Sequence, residues 1–142
     1  MYEVGTATDV RAFHVMPGVE GPEGELHAHD YRVELLVERA MLDGSGMACD
    51  LDALDAALQQ TADRVRDADL EVIRPDDAEA VTVEVFARWV HASVADAVRQ
   101  AGGETLTVRV WESPTAFGGY RAPVTEPTPG RPPRNAPRTP PT

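Results

Sequence analysis

Two stretches of the chain alternate apolar and polar residues at the spacing of a β-strand. From Leu26 to Arg39, no glycine or proline interrupts a run dense in aromatic and β-branched residues. Side chains two apart on a strand point to the same face, so one face of this predicted strand carries His27, His29, Tyr31, Val33, Leu35 and Val37. The segment Glu3 to Met16 alternates in the same way and places on one face Thr8, Val10, Ala12 and His14.

The middle of the chain shows the spacing of two α-helices. Asp50 is a suitable N-cap for a first helix, whose apolar positions are Leu51, Leu54, Ala57, Leu58, Ala62 and Val65. Thr82 is a suitable N-cap for a second helix, and Glu84 falls in its first turn. The buried stripe predicted for this helix is Val85, Phe86, Trp89, Val90, Val94 and Val98. The pair Gly102-Gly103 ends it.

Two more strands complete the pattern. Thr105 to Trp111 alternates again, and Ala116 to Arg121 can form a short last strand after a turn. The order β-β-α-α-β-β predicts an α+β fold with a four-stranded antiparallel sheet and two helices on one face. The second face of such a sheet meets water or another subunit, so we expect self-association.

Composition narrows the class of protein. A chain of 142 residues is long enough for one domain with a real core. The net charge of −11 argues against nucleic acid and anionic membrane as partners. Cys49 is the single cysteine, so an intrachain disulfide is impossible, and no stretch is apolar enough to span a bilayer. These features predict a soluble cytoplasmic protein.

The last 21 residues differ from the rest. Residues 122–142 hold eight of the twelve prolines and carry a net charge of +2, which leaves −13 on residues 1–121. Proline at this density prevents a helix or a central strand. We therefore predict a domain over residues 1–121 and a disordered or extended tail over residues 122–142. A peptide ligand for a proline-binding module is the alternative reading of the tail.

The histidines are the first candidate chemistry. A loop rich in glycine and proline, residues 17–25, separates His14 at the end of one predicted strand from His27 at the start of the next. A hairpin would bring His14 beside the pair His27 and His29. Three neutral imidazoles with a free fourth position form the ligand set of a catalytic zinc site. An isolated H-x-H pair is more often ordinary core or surface histidine, so both readings stay open on the residues alone.

Five short motifs in order resemble one family. They are Ala12-Phe13-His14, His27-Ala28-His29-Asp30-Tyr31, Gly46-Met47-Ala48-Cys49-Asp50-Leu51, Val81-Thr82-Val83-Glu84 and Glu112-Ser113-Pro114-Thr115-Ala116 with Tyr120. Over residues 8–121 the chain resembles the 6-pyruvoyl-tetrahydropterin synthase and 6-carboxytetrahydropterin synthase family of tunnelling-fold proteins. The resemblance implies a pterin-binding domain and a homohexamer whose sheets close into a barrel.

The resemblance also implies roles for particular residues. His14, His27 and His29 would hold Zn²⁺, which coordinates side-chain oxygens of a dihydropterin and acts as a Lewis acid. The substrate would be bound by Thr82, Glu84 and Glu112. Of these, Glu112 would accept two parallel hydrogen bonds from the amino and ring N–H groups of the pterin.

Two departures from the family pattern bear on catalysis. Glu23 stands where most members have a catalytic cysteine, four residues before the first histidine of the pair. A branch of the family that makes 6-hydroxymethyl-dihydropterin also has glutamate there, so the resemblance assigns Glu23 as the catalytic base. The family's Asp-His relay corresponds to the segment 65–70, which has neither the aspartate nor the histidine in place.

Two hypotheses of function follow. The first is a zinc-dependent lyase acting on 7,8-dihydroneopterin or its triphosphate, with a variant that cleaves the substrate side chain as an aldolase does. The second is a pterin- or purine-binding protein of the same fold without lyase activity. The lost relay favours the second, and the intact metal and ring-binding residues favour the first.

Overall fold

The structure is a computed structural model that describes residues 1–124. Within these residues, four strands form one antiparallel sheet in the order β1-β2-β3-β4, and two α-helices lie between β2 and β3 in sequence. The α+β class and the order β-β-α-α-β-β are confirmed. The strands are β1 Tyr2–His14, β2 His27–Arg39, β3 Thr105–Trp111 and β4 Phe117–Pro123. The helices are α1 Leu51–Asp63 and α2 Val83–Gln100, with short 3-10 turns at Pro22–Gly24 and Leu70–Ile73.

The long ladder between β1 and β2 sets the geometry of the molecule. All thirteen residues of β1 pair with β2, from Tyr2 opposite Arg39 to His14 opposite His27. His29 pairs with Ala12, so it lies on the same face and two positions further along. Directly opposite residues on two strands have Cβ atoms about 5 Å apart. The register therefore gathers three histidines at one end of the sheet.

The core lies between the sheet and the two helices, as the alternation predicts. The inward-facing residues of β2 are at most 2% exposed from Tyr31 to Val37. They pack against the stripe of α2, where Phe86, Val90 and Val94 are equally buried. Other inward positions of the sheet are filled by Val10, Ala12, Leu106, Val108 and Val110.

Both helices begin at the predicted caps. The Asp50 side chain accepts hydrogen bonds from the backbone N–H groups of Asp52 and Ala53. Thr82 accepts one from Val85 N–H at 3.2 Å. After α2, Gly102 has φ +103°, the left-handed conformation that glycine adopts at a helix end without steric cost.

Helix α1 ends earlier than predicted. It stops at Asp63, whereas the apolar spacing continued to Val65. The cause is a tertiary contact, because Asp67 turns with φ 55° and its N–H donates to Arg11 O of β1 at 2.7 Å. Val65 is nevertheless fully buried. The prediction that it is a core position is confirmed, and the prediction that it belongs to the helix is wrong.

Two strand ends also differ from the prediction. β1 ends at His14 rather than Met16, because the Met16 N–H donates to Glu23 O of the following loop at 2.9 Å. β4 continues to Pro123, two residues beyond the predicted domain end at 121. Val124 is also buried and its N–H donates to Glu104 O at 2.9 Å. The domain thus includes residues 122–124, and the rest of the predicted tail lies outside the described residues.

The position of this boundary can be tested by truncation. A chain ending after Ala122 should have a free energy of unfolding about 2 kcal/mol lower than a chain ending after Val124, because it loses a buried valine and a backbone hydrogen bond. Urea denaturation of the two truncated proteins measures the difference. Equal midpoints would show that the domain ends at Ala122 or before.

The second face of the sheet carries polar side chains and no helix within residues 1–124. Arg32 and Glu34 form an ion pair at 3.0 Å on this face, and Arg109 lies against the ring of Phe117.

In the same described part of the chain, neither helix combines the length and the apolar character needed to cross a membrane.

Candidate metal centre

Three imidazole rings meet at the end of the β1–β2 ladder. The ring centroids of His14 and His27 are 4.6 Å apart, those of His27 and His29 4.7 Å, and those of His14 and His29 5.4 Å. The structure therefore brings together the three histidines that the sequence selected as metal ligands. Each is held by a strand, so the cluster is set on a rigid part of the fold.

The hydrogen bonds of His27 determine which of its nitrogens is free. Its Nδ1 lies 2.7 Å from Glu25 O, which can only accept, so Nδ1 carries a proton and donates. The lone pair of neutral His27 is then on Nε2, which lies 3.0 Å from His29 Nε2. Two nitrogens bound to one tetrahedral zinc ion are about 3.3 Å apart. The spacing suits a shared cation, and the bond to Glu25 orients the ring as second-shell partners of metal ligands do.

His14 gives independent support for a bound ion. It is 6% exposed, and neither Nδ1 nor Nε2 has a hydrogen-bond partner. A buried nitrogen without a partner costs about 1–3 kcal/mol, so native proteins rarely leave one unmatched. A metal ion bound among the three rings would provide a partner for the lone pair of one His14 nitrogen. Burial lowers the pKa of His14, and the neighbouring His27 and His29 lower it further, which keeps the ring in the neutral form that binds metal.

The lowered pKa of His14 predicts a pH dependence for the metal-free protein. Unfolding returns the ring to its ordinary pKa of 6.5, so near that pH the unfolded chain binds more protons than the folded chain does. The free energy of unfolding should therefore fall as the pH drops from about 7 to about 5. Urea midpoints across this range measure it, and His14→Gln should reduce the slope. An unchanged slope in that variant would assign the dependence to other groups.

Glu23 lies beside the histidines, on the 3-10 turn Pro22–Gly24. Its Oε2 is 3.4 Å from His27 Nε2, although the side chain is 60% exposed. Ligand atoms of Glu23 and the three histidines all lie within 4.8 Å of one another. The turn is compact, since a Cβ at Gly24 would come within 1.8 Å of Val19 O. The sequence predicted Glu23 at this site only through the family resemblance.

A pocket of 240 Å³ opens next to the cluster. Its walls include every residue predicted to bind substrate, namely Thr82, Glu84 and Glu112, together with His14 and Glu23. The remaining wall is mostly apolar and consists of Met16, Tyr31, Val81, Val83 and Phe86. These five were not predicted as site residues. For Tyr31 a signal existed, because it follows His29 by two positions on the same face.

The structure explains how the start of α2 contributes to this pocket. The Thr82 hydroxyl accepts from Val85 N–H, which leaves its own proton available to a ligand. Glu84 packs against β4 at Gly118, where a Cβ would lie 3.0 Å from its Oε1 and 2.6 Å from Val83 Cγ2. A larger residue at Gly118 would thus displace the first turn of α2.

Glu112 also borders a second, wider hollow on the helix-free face of the sheet. This hollow has a volume of 680 Å³, shares Glu112 with the first pocket and is also bordered by His29. Its wall includes Asp30, Arg32 and Trp111, and the buried Nε1 of Trp111 has no hydrogen-bond partner. The smaller pocket is bordered by His14 and Glu23 and by all three residues predicted to bind substrate, so we assign the candidate site to it.

Other candidate groups lie elsewhere in the fold. His91 is buried in α2, where its Nε2 is 3.1 Å from Ala122 O and its ring packs on Tyr120. Cys49 belongs to the hydrophobic core, and burial followed by the charge of Asp50 raises the pKa of its thiol. The segment that corresponds to the family relay runs beside β1, where Phe13 N–H donates to Ala68 O at 2.8 Å.

Comparisons with known proteins agree on one family. A family model described as 6-pyruvoyl tetrahydropterin synthase matches residues 3–123. No curated protein matches the chain significantly in sequence.

Solved structures extend the agreement to the fold. The 6-pyruvoyl tetrahydropterin synthase of Plasmodium falciparum is 14% identical, with a TM-score of 0.67 over 86% of this chain and 98% of its own. The Plasmodium vivax synthase is 12% identical, with a TM-score of 0.65 over 87% of this chain and 99% of its own. The Caenorhabditis elegans synthase is 17% identical, with a TM-score of 0.64 over 85% of this chain and 95% of its own. At these identities the likeness shows a shared fold.

Proposed function

The chain belongs to the 6-pyruvoyl tetrahydropterin synthase family, and we propose that it is a zinc-dependent lyase acting on 7,8-dihydroneopterin or its triphosphate. The observation that carries the proposal is the buried His14. Its two nitrogens have no partner, and its ring lies 4.6 Å from that of His27 and 5.4 Å from that of His29, beside a pocket. A purely structural descendant of the family would have no reason to keep three imidazoles together with the buried one left without a partner.

Each polar group of the pocket has a task in this reaction. His14, His27 and His29 would hold Zn²⁺, which when bound supplies a Lewis acid for the hydroxyl groups of the substrate side chain. Glu112 binds the amino and ring N–H groups of the pterin, because a carboxylate accepts two parallel hydrogen bonds. Thr82 donates its free hydroxyl proton to the same ring, and Glu84 lies beside it in the first turn of α2.

Glu23 is proposed as the general base. It removes a proton from the second side-chain hydroxyl of the substrate, the bond between the first two side-chain carbons breaks, and its electron pair passes into the conjugated dihydropterin ring. A proton then returns to the first carbon. The products are 6-hydroxymethyl-dihydropterin and a two-carbon aldehyde, phosphorylated if the substrate was. In support, a glutamate is described as a catalytic residue in the P. vivax synthase.

The main alternative is a pterin- or purine-binding protein without lyase activity. One specific observation favours it. In the segment that replaces the family relay, Asp67 is exposed and the Asp69 side chain caps the turn Leu70–Ile73 by accepting from Glu71 N–H. A capping carboxylate is committed to structure, so within this chain it offers Glu23 no assistance.

One experiment separates the two functions. Zinc-loaded protein is incubated with 7,8-dihydroneopterin and, separately, with its triphosphate, and products are identified by mass spectrometry. The proposed lyase releases a two-carbon fragment and leaves 6-hydroxymethyl-dihydropterin. Binding of either compound without product would support the alternative.

The protein should also self-associate, as a homohexamer of two trimeric rings that the family resemblance implies. β1 and β4 are the two edges of the sheet, and unpaired strand edges readily pair with those of another chain. Multi-angle light scattering should therefore give about six times the mass of one chain. A monomer at micromolar concentration would contradict this expectation.

A further inference from the structure

We propose that Glu23 is a fourth protein ligand of the metal in the substrate-free protein and leaves it when a substrate oxygen takes its place. The inference rests on the metal site of the proposed function and gives Glu23 a task before catalysis begins. In this view the resting metal is closed by four side chains from one protomer.

The spacing of the four groups is that of a single coordination sphere. Glu23 Oε2 is 3.4 Å from His27 Nε2, and His27 Nε2 is 3.0 Å from His29 Nε2. Two atoms that bind one tetrahedral zinc ion at ordinary bond lengths lie about 3.3 Å apart. All four ligand atoms lie within 4.8 Å of one another, so one ion can contact them together after small side-chain rotations.

The hydrogen bond between His27 and Glu25 gives a second reason. Neutral His27 has its proton on Nδ1, which donates to Glu25 O. Its Nε2 lone pair then has two neighbours, His29 Nε2 at 3.0 Å and Glu23 Oε2 at 3.4 Å. His29 can donate a proton to that lone pair, but the Glu23 carboxylate can only accept, so a cation between them would account for the contact with Glu23. A doubly protonated His27 would satisfy the same contact without metal, and that is the competing account to be tested.

The loop allows the carboxylate to leave without unfolding anything. The backbone of Glu23 is fixed, because its carbonyl oxygen accepts from Met16 N–H at 2.9 Å. Its side chain is 60% exposed, so it can rotate into solvent. A rotamer change costs little compared with moving a strand, which makes Glu23 the exchangeable member of the set. The three histidines stay in place on β1 and β2.

The test needs no pterin. Metal-free full-length protein is titrated with Zn²⁺ in competition with a chromophoric chelator, and the Co²⁺-loaded protein is then titrated with azide and followed by visible absorption. The variants are Glu23→Gln and Glu20→Gln. Both lose one negative charge from the same loop, but Glu20 is exposed and outside the cluster.

We expect Glu23→Gln to weaken zinc binding by on the order of tenfold or more and Glu20→Gln by less than about twofold. Azide should bind the Co²⁺ form of Glu23→Gln at least about tenfold more tightly than wild type, because the fourth position is then open. Unchanged zinc and azide affinities in Glu23→Gln would overturn the inference and favour the protonated His27. Equal effects of the two variants would overturn it in favour of net charge.

The outcomes also separate this inference from the proposed function. A protein that shows both Glu23 effects but neither binds nor cleaves a dihydropterin would support the inference and remove the lyase. A protein that cleaves the dihydropterin but has the same zinc and azide affinities with and without Glu23 would support the lyase and overturn the inference.

Discussion

Replacing His27 by alanine should lower the affinity of the protein for Zn²⁺ by on the order of 100-fold or more. His27 supplies the Nε2 lone pair that faces both His29 and Glu23, and its Nδ1 is already committed to Glu25 O. Loss of a second-shell partner alone weakens metal binding about 10–100-fold, so loss of a ligand should cost at least as much. Competition with a chelator measures the affinity, and wild type should bind about one ion per chain.

The chain provides a matched control in its fourth histidine. His91 is as buried as His14, but its Nε2 bonds to Ala122 O and its ring contacts Tyr120. His91→Ala should therefore lower stability and leave zinc affinity nearly unchanged, whereas His14→Ala should lose the metal. The reverse result, zinc lost with His91 and kept without His14, would refute the ligand assignment.

Alternation along the strands was sufficient to predict which histidines share a face. Side-chain direction in a strand has a period of two, so His27 and His29 had to point with Tyr31 once β2 was identified. Their distance from His14 was not available from periodicity. It depends on the register of β1 and β2, and the Met16 to Glu23 hydrogen bond that closes the intervening loop is a tertiary fact.

Loop residues and chain ends were harder to predict, for two different reasons. Glu23 lies on a 3-10 turn without any repeating pattern, so only the family resemblance brought it to the site. The end of β4 was placed too early because proline interrupts sheets. On an edge strand, however, a proline needs no ladder partner for the missing N–H, and Pro123 pairs with Thr105.

Glu23 and Glu112 should divide turnover and binding between them. Glu112→Ala should raise KM for 7,8-dihydroneopterin and its Kd by at least about tenfold, because it removes an acceptor for two hydrogen bonds to the ring. The same variant should keep its zinc, since Glu112 is outside the four-residue metal cluster. Unaltered pterin affinity in Glu112→Ala would remove it from the ring-binding groups.

Glu23→Gln should lower kcat by about 10²–10⁴ without weakening the binding of 7,8-dihydroneopterin, because glutamine keeps the shape of the side chain but cannot accept the proton. The assay uses saturating zinc, so that weaker metal binding in the variant does not limit the rate. We expect wild type to release the two-carbon fragment and to form little 6-pyruvoyl-tetrahydropterin, since the chain has neither the family cysteine nor its Asp-His relay. Robust synthesis of that product would refute the assignment. Normal turnover by Glu23→Gln would make Glu23 an ordinary loop carboxylate and direct the search for a base to the exposed Asp67.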